Sequence, residues 1–235
     1  EAIAAHYHET YGVEVSPERI IISNGTSPAM SLIFSTLLSP GDGVILTDPC
    51  YACYPNFIRF ADGAPQFVTV SEEQGFQYDL DAVREAVNPR TRAILVNSPS
   101  NPGGTIISAE TLQGLCSAGP AIVSDEIYHG LVYEGKARSA LEFCDDAFVI
   151  NGFSKTYAMT GWRVGYLIAP KRYMRTMQKL NQNFAISSNA FVQWAAISAF
   201  TESKKYVDEM VATYNKRRIH ILESLRGMGL RIPVE

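Results

Sequence analysis

The sequence predicts an α/β fold: one three-layer α/β/α domain around a mostly parallel seven-stranded sheet, followed by a long helix that leads toward a small domain largely absent from this chain. Three observations carry this. Short apolar runs rich in β-branched and aliphatic residues recur along the first 170 residues, helical patterns fill most of the intervals between them, and beyond 170 only helical patterns remain. Strand alternating with helix implies parallel strands joined by right-handed crossovers, with helices on both faces.

An amphipathic helix pattern opens the chain over 1–11, and "RIIIS" (19–23) is the first strand. A helix over 27–38 follows, with Pro28 near its start, where the missing N–H has no intrahelical partner to lose. "GVILTD" (43–48) and "PQFVTV" (65–70) bracket a helix at 54–61, and "TRAILVN" (91–97) follows one at 79–87. Ser108 is placed to cap a helix over 109–118. "AIVSDE" (121–126), "AFVING" (147–152) and "VGYLIAP" (164–170) complete the sheet, and each reads as a strand buried on both faces. Helices are expected over 171–182, 189–202 and 204–226. The charges Lys216, Arg217 and Arg218 on the last of these read as a solvated face. The expected division is a large domain at 1–203, then an interdomain helix and the start of a small carboxyl-terminal domain at 204–235.

Composition narrows the function classes. The 235 residues are 46% hydrophobic and 19% charged, as in a water-soluble globular protein. No apolar run reaches the roughly 18–20 residues needed to span a bilayer. A net charge of -4 gives no electrostatic case for binding nucleic acid or an anionic membrane. The four cysteines form no disulfide framework and point to a reducing, cytoplasmic setting. Cys50 and Cys53 make a C-x-x-C, but neither a second pair nor His6, His8, His129 and His220 supplies matching ligands, so no metal site is expected. The chain starts without methionine inside a helix pattern and stops where "LRIPV" reads as a strand beginning, so it reads as a piece of a larger protein.

In open α/β sheets ligands bind at the carboxyl ends of the strands, and the unusual polar stretches fall there. After the first strand, Gly25, Thr26 and Ser27 lead into a helix whose first amides lack partners, which suits an anion; an ordinary cap by Thr26 or Ser27 explains the same residues. After the second come Tyr51 and Tyr54, where a ring either covers a flat ligand or simply packs. After the fourth, Asn97 and Asn101 lie in "NSPSNPGGT", either as turn residues or as amide donors to a phenolate oxygen. The fifth ends in Asp125 and Glu126, carboxylates that burial disfavours unless a cation or donor meets them, with Tyr128 three residues on. After the sixth come Ser154 and Lys155, then Arg163 with a planar fork suited to a phosphate. Together these groups fit one ligand: a phosphate, a flat ring with an acidic hydroxyl and a basic nitrogen, and an electrophilic carbon for Lys155. Pyridoxal 5′-phosphate has all of these.

The chain also resembles the class I/II aminotransferases of the aspartate aminotransferase superfamily, fold type I of the pyridoxal-phosphate enzymes. The match lies in Gly152-Phe153-Ser154-Lys155, Ala158-Met159, Gly161 and Arg163-Val164-Gly165, with "SNPGG" (100–104) and "SDEIYHGLVY" (124–133) in the right order. The resemblance implies that Lys155 forms the internal aldimine, Asp125 pairs with the pyridine nitrogen, Asn101 and Tyr128 hold the ring oxygen, Tyr51 stacks on the ring and Arg163 binds the phosphate. Thr26, Ser27 and Ser154 would add to the phosphate site. Many members carry a hydroxyl three residues before the lysine, where this chain has Gly152.

The implied reaction moves an amino group from an amino acid to a 2-oxo acid, in a homodimer. Other readings are a C–S lyase, decarboxylase or synthase of the same fold type, or a pyridoxal-phosphate sensor domain of the kind joined to DNA-binding regulators. The resemblance places the arginine for the substrate carboxylate beyond residue 235, so this stretch alone is expected to keep most cofactor contacts and to be weak in transamination.

Overall fold

The computed structural model describes residues 1–234. Seven strands, β1 (Ile20–Ser23), β2 (Gly43–Asp48), β3 (Ala64–Thr69), β4 (Thr91–Asn97), β5 (Ala121–Asp125), β6 (Phe148–Gly152) and β7 (Gly165–Ile168), form one sheet in the order β1-β7-β6-β5-β4-β2-β3. Their bounds lie close to those read from the apolar runs. Eight α-helices surround and follow them: α1 (Ala2–Tyr11), α2 (Thr26–Leu37), α3 (Tyr54–Phe60), α4 (Leu80–Ala86), α5 (Ala109–Cys116), α6 (Lys171–Phe184), α7 (Ala190–Glu202) and α8 (Lys204–Gly227). Ser108 caps α5 through the amide of Thr111, and Asp79 caps α4 through Asp81 and Ala82.

The strands separate two apolar layers because successive side chains point to opposite faces. Along β4, Ala93 and Leu95 join α2, α3 and α6 on one face, while Ile94 and Val96 join α1, α4, α5 and α7 on the other. Fully burying one such Leu or Ile side chain stabilises the fold by about 1.5–3 kcal/mol. A charge at Ile94 would therefore break the second layer at its centre.

Strand β7 runs antiparallel to both its neighbours, whereas the other pairings are parallel. The connection from β6 holds a 3-10 turn at Thr160–Trp162 and no crossover helix, so the chain reverses instead of returning to the far edge. This reversal brings Arg163, just before β7, to the edge where the parallel strands end. Gly165 makes the approach possible: a Cβ there would lie 2.9 Å from the Gly25 carbonyl carbon and 3.0 Å from the Asn151 oxygen.

The helical region departs from expectation in one place. Lys216 and Arg217 are exposed, but Arg218 turns back onto the domain, donates to Glu134 Oε1 at 2.7 Å and lies over the Tyr133 ring at 5.0 Å. Its side chain is therefore partly covered, and the solvated-face reading fails for that residue. Around the end of α6 and along α7, Phe184, Ile186, Phe191 and Trp194 are exposed. Among the described residues no helix is long and apolar enough to cross a membrane.

Candidate active site

Asp125 closes β5 at the centre of the sheet and is buried. Its Oδ2 accepts from the Tyr54 hydroxyl at 2.8 Å and its Oδ1 from the Ile127 amide at 3.1 Å. Burial pushes its pKa up to about 6, against the lowering effect of those two donors and of the Lys155 charge. Glu126, the next residue, points into the protein, where Tyr7, Ser124, Ser139 and the Ala140 amide all donate to it. The desolvation of both carboxylates is thus met by donors, and Asp125 also borders a cleft.

The turn after β4 is pinned to the end of β5. Asn97 donates from Nδ2 to the Asp125 carbonyl at 3.0 Å and accepts at Oδ1 from the Asn101 amide at 2.7 Å. That holds Asn101 where its own Nδ2 donates to the Tyr128 hydroxyl at 3.2 Å. Lys155 Nζ lies 5.7 Å from the Tyr128 ring centre. The turn that carries Lys155 is anchored on both sides: Thr156 Oγ1 donates to the His129 carbonyl at 2.5 Å, and Thr160 Oγ1 donates to the Ser154 carbonyl at 2.9 Å.

On the other flank, Gly25 is the N-cap of α2, with Thr26 and Ser27 inside the first turn, and no side chain caps the helix. The ordinary-cap explanation of Thr26 and Ser27 therefore does not hold here; the first amides remain free for an anion. Arg163 stands over this turn, donating to the carbonyls of Thr160 at 3.1 Å and Asn24 at 3.3 Å. Its own backbone is left-handed at φ 52°, a conformation disfavoured for residues that carry a Cβ. Gly25 is at φ 95°, and a Cβ on it would come within 2.5 Å of the guanidinium, so glycine leaves the space beside that fork open. Gly152 is packed less tightly, since a Cβ would lie 3.1 Å from both the Gly165 Cα and the Val164 oxygen. A side chain at that position would require its neighbours to give by a few tenths of an ångström.

Thr26, Ser27, Tyr51, Asn101, Asp125, Tyr128, Ser154, Lys155 and Arg163 line one cleft of about 220 Å³, with Gly25 beneath the guanidinium at its edge. Tyr51 is 38% exposed at the rim and stands edge-on to Tyr54, ring centres 5.3 Å apart. Tyr54, Ile127 and Thr160 also line it. Sequence reasoning saw Tyr54 as an aromatic beside the sheet but not its bond to Asp125; nothing in local spacing shows that a residue 71 positions away supplies that donor. Ile127 and Thr160 carry no chemical signal of their own.

A family model described as aminotransferase class I and II matches residues 1–234. The chain is 39% identical over 236 residues to a (5-formylfuran-3-yl)methyl phosphate transaminase of Methanocaldococcus jannaschii, covering 99% of this chain and 62% of that protein. It is 36% identical over 239 residues to the aspartate/prephenate aminotransferase of Thermus thermophilus, covering 98% of this chain and 62% of the relative. Among solved structures, aspartate aminotransferase from Thermus thermophilus with maleate superposes at a TM-score of 0.95, with 36% identity over 98% of this chain and 63% of that one. Alanine aminotransferase from Pyrococcus furiosus superposes at 0.90, with 31% identity over 96% of this chain and 60% of that one. The chain thus spans about three fifths of the length of these relatives.

Proposed function

The chain belongs to the aminotransferase class I and II family, and we propose that its cleft holds pyridoxal 5′-phosphate and serves the transfer of an amino group between an amino acid and a 2-oxo acid. The observation that carries the reading is the convergence of Lys155, Asp125, the Asn101–Tyr128 pair and Arg163 on one cleft at the carboxyl edge of the sheet.

The residues fit the group chemically. Arg163, the free amides at the start of α2, and the hydroxyls of Thr26, Ser27 and Ser154 suit a phosphate, and Gly25 leaves room beside the guanidinium. The Asp125 carboxylate is the acceptor for the ring nitrogen proton, and Asn101 and Tyr128 are donors for the ring oxygen. Tyr51 covers a ring face. Lys155 is the covalent anchor at the aldehyde. When bound, the cofactor supplies an electron sink for the charge that develops at the substrate α-carbon.

The residues then divide the work. Lys155 Nζ, at the cleft beside Tyr128, would hold the cofactor and would be the base that takes and holds the substrate α-proton. Asp125, held in a buried site by two donors, would supply the negative charge that favours a protonated ring nitrogen. Arg163 and the α2 turn would hold and orient the phosphate end. The large domain at 1–203, with α8 leading out of it, is part of the same reading. So is a homodimer, which the exposed Phe184, Ile186, Phe191 and Trp194 support. A cytoplasmic setting fits the four free cysteines.

Adding pyridoxal 5′-phosphate is expected to produce a near-visible absorbance band that is lost in Lys155→Ala, and borohydride reduction is expected to fix the cofactor mass on Lys155. A label on another lysine would sink the assignment. Amino acid and 2-oxo acid pairs are then followed for new amino acid; ammonia release without transfer would point instead to a lyase.

A further inference from the structure

We propose that Tyr54 is a positioning residue for Asp125: its phenol holds the carboxylate ionised and oriented, so that the proton shared with the cofactor stays on the ring nitrogen. The proposal rests on the cofactor reading above. Tyr54 opens α3 on the sheet face shared with α2 and α6, is 4% exposed, and directs its hydroxyl onto Asp125 Oδ2 at 2.8 Å. With the Ile127 amide on Oδ1, each carboxylate oxygen then receives one donor from the protein.

The balance is between opposed effects. Burial favours the neutral carboxylic acid, a weaker acceptor with no charge to set against a protonated ring, while the two donors and the Lys155 charge favour the carboxylate. Of these, only the tyrosine bond is made by a side chain in direct contact with Asp125 that could be removed without disturbing the backbone. Burial, together with the charge of Asp125, also pushes the Tyr54 phenol well above its ordinary pKa. It therefore stays a donor over the whole working range of pH. Tyr54 further supports the rim, since Tyr51 packs edge-on against its ring.

The test is Tyr54→Phe, read with pyridoxal 5′-phosphate labelled with 15N in the ring. In the wild type the ring nitrogen is expected to give the protonated signal at about pH 8, near the upper end of the ordinary working range. In Tyr54→Phe the signal moves toward the unprotonated position, and the cofactor binds about tenfold more weakly, the loss expected for one hydrogen bond to a charged group. In an Asp125→Asn background the same tyrosine substitution is expected to add no further change. An unshifted ring signal, or an equal loss of affinity in both backgrounds, would reduce Tyr54 to packing and overturn the proposal. Should the phenylalanine protein not fold, Tyr54→His, which keeps a donor, is expected to retain the protonated signal; an unprotonated ring there also overturns it. A wild type with no Lys155-dependent absorbance band sinks the cofactor reading itself and the role of Tyr54 with it, which separates the two failures.

Discussion

Asp125 and Glu126 are neighbours in sequence, both acidic, both buried, and yet they meet different surroundings. Glu126 accepts from Tyr7 at 3.1 Å, Ser124 at 3.2 Å, Ser139 at 2.9 Å and the Ala140 amide at 2.9 Å, so α1, β5 and the turn at Ala140–Glu142 are tied together through it. Asp125 meets two donors from the protein and borders the cleft that Lys155 and Arg163 also line. One carboxylate is consumed by the fold. The other keeps capacity for a ligand. The contrast teaches that a buried acid marks a functional site only when the protein leaves part of its bonding open toward a cavity.

The comparison is sharpest in its largest expected effect. Asp125→Ala is expected to weaken pyridoxal-phosphate binding by about 4 kcal/mol, roughly a thousandfold, as for truncating one member of a buried charged pair. Spectrophotometric titration measures it, while denaturant unfolding without cofactor should show a smaller loss than for Glu126→Ala, since two donors and not four lose their acceptor. Glu126→Ala should do the reverse, lowering folding stability by about 3 kcal/mol because several donors lose their acceptor at once. Equal effects of the two substitutions on both measurements would break the distinction.

The smallest expected effect is a pH dependence. Burial raises Glu126 to about 7 and Asp125 to about 6, both above their ordinary values of 4.5 and 3.8. For a carboxyl raised on folding, the folded state binds more protons than the unfolded one between the two values. Stability is therefore greatest below the unfolded pKa and declines as pH rises through the folded one. The cofactor-free protein should lose stability between about pH 4 and pH 7, and Glu126→Gln should flatten about half of that slope, since the two shifts are similar. A profile that rises over this window in the wild type would show that the two acids are held ionised by the fold.

Much of the fold was legible because strands buried on both faces must be short continuous apolar runs, and crossover helices must carry an apolar stripe. "TRAILVN" and "GVILTD" could hardly be anything else, and both strands have the predicted bounds. The direction of β7 was not legible, because an apolar run reads the same for either direction and only the absence of a helix at 153–164 decides it. Arg218 was misread for a related reason: a charged helix face shows its own spacing but not the Glu134 and Tyr133 that meet it. Within the candidate site, residues with chemical handles at strand ends were legible. Tyr54 carries no such handle, since its partner lies 71 residues away at the end of β5.

What the sequence determined by itself was the family motif around Lys155, the order of strands and helices, and the set of polar groups available at the strand ends. Those follow from local periodicity and residue chemistry, which act over a few positions. The tertiary structure decided which of two adjacent carboxylates opens to the cleft, how the reversal at β7 brings Arg163 over Gly25, and which distant phenol holds Asp125. Each of these is a contact between segments far apart in the chain, and its geometry exists only once the sheet order and the packing of α2 and α3 on one face have been set.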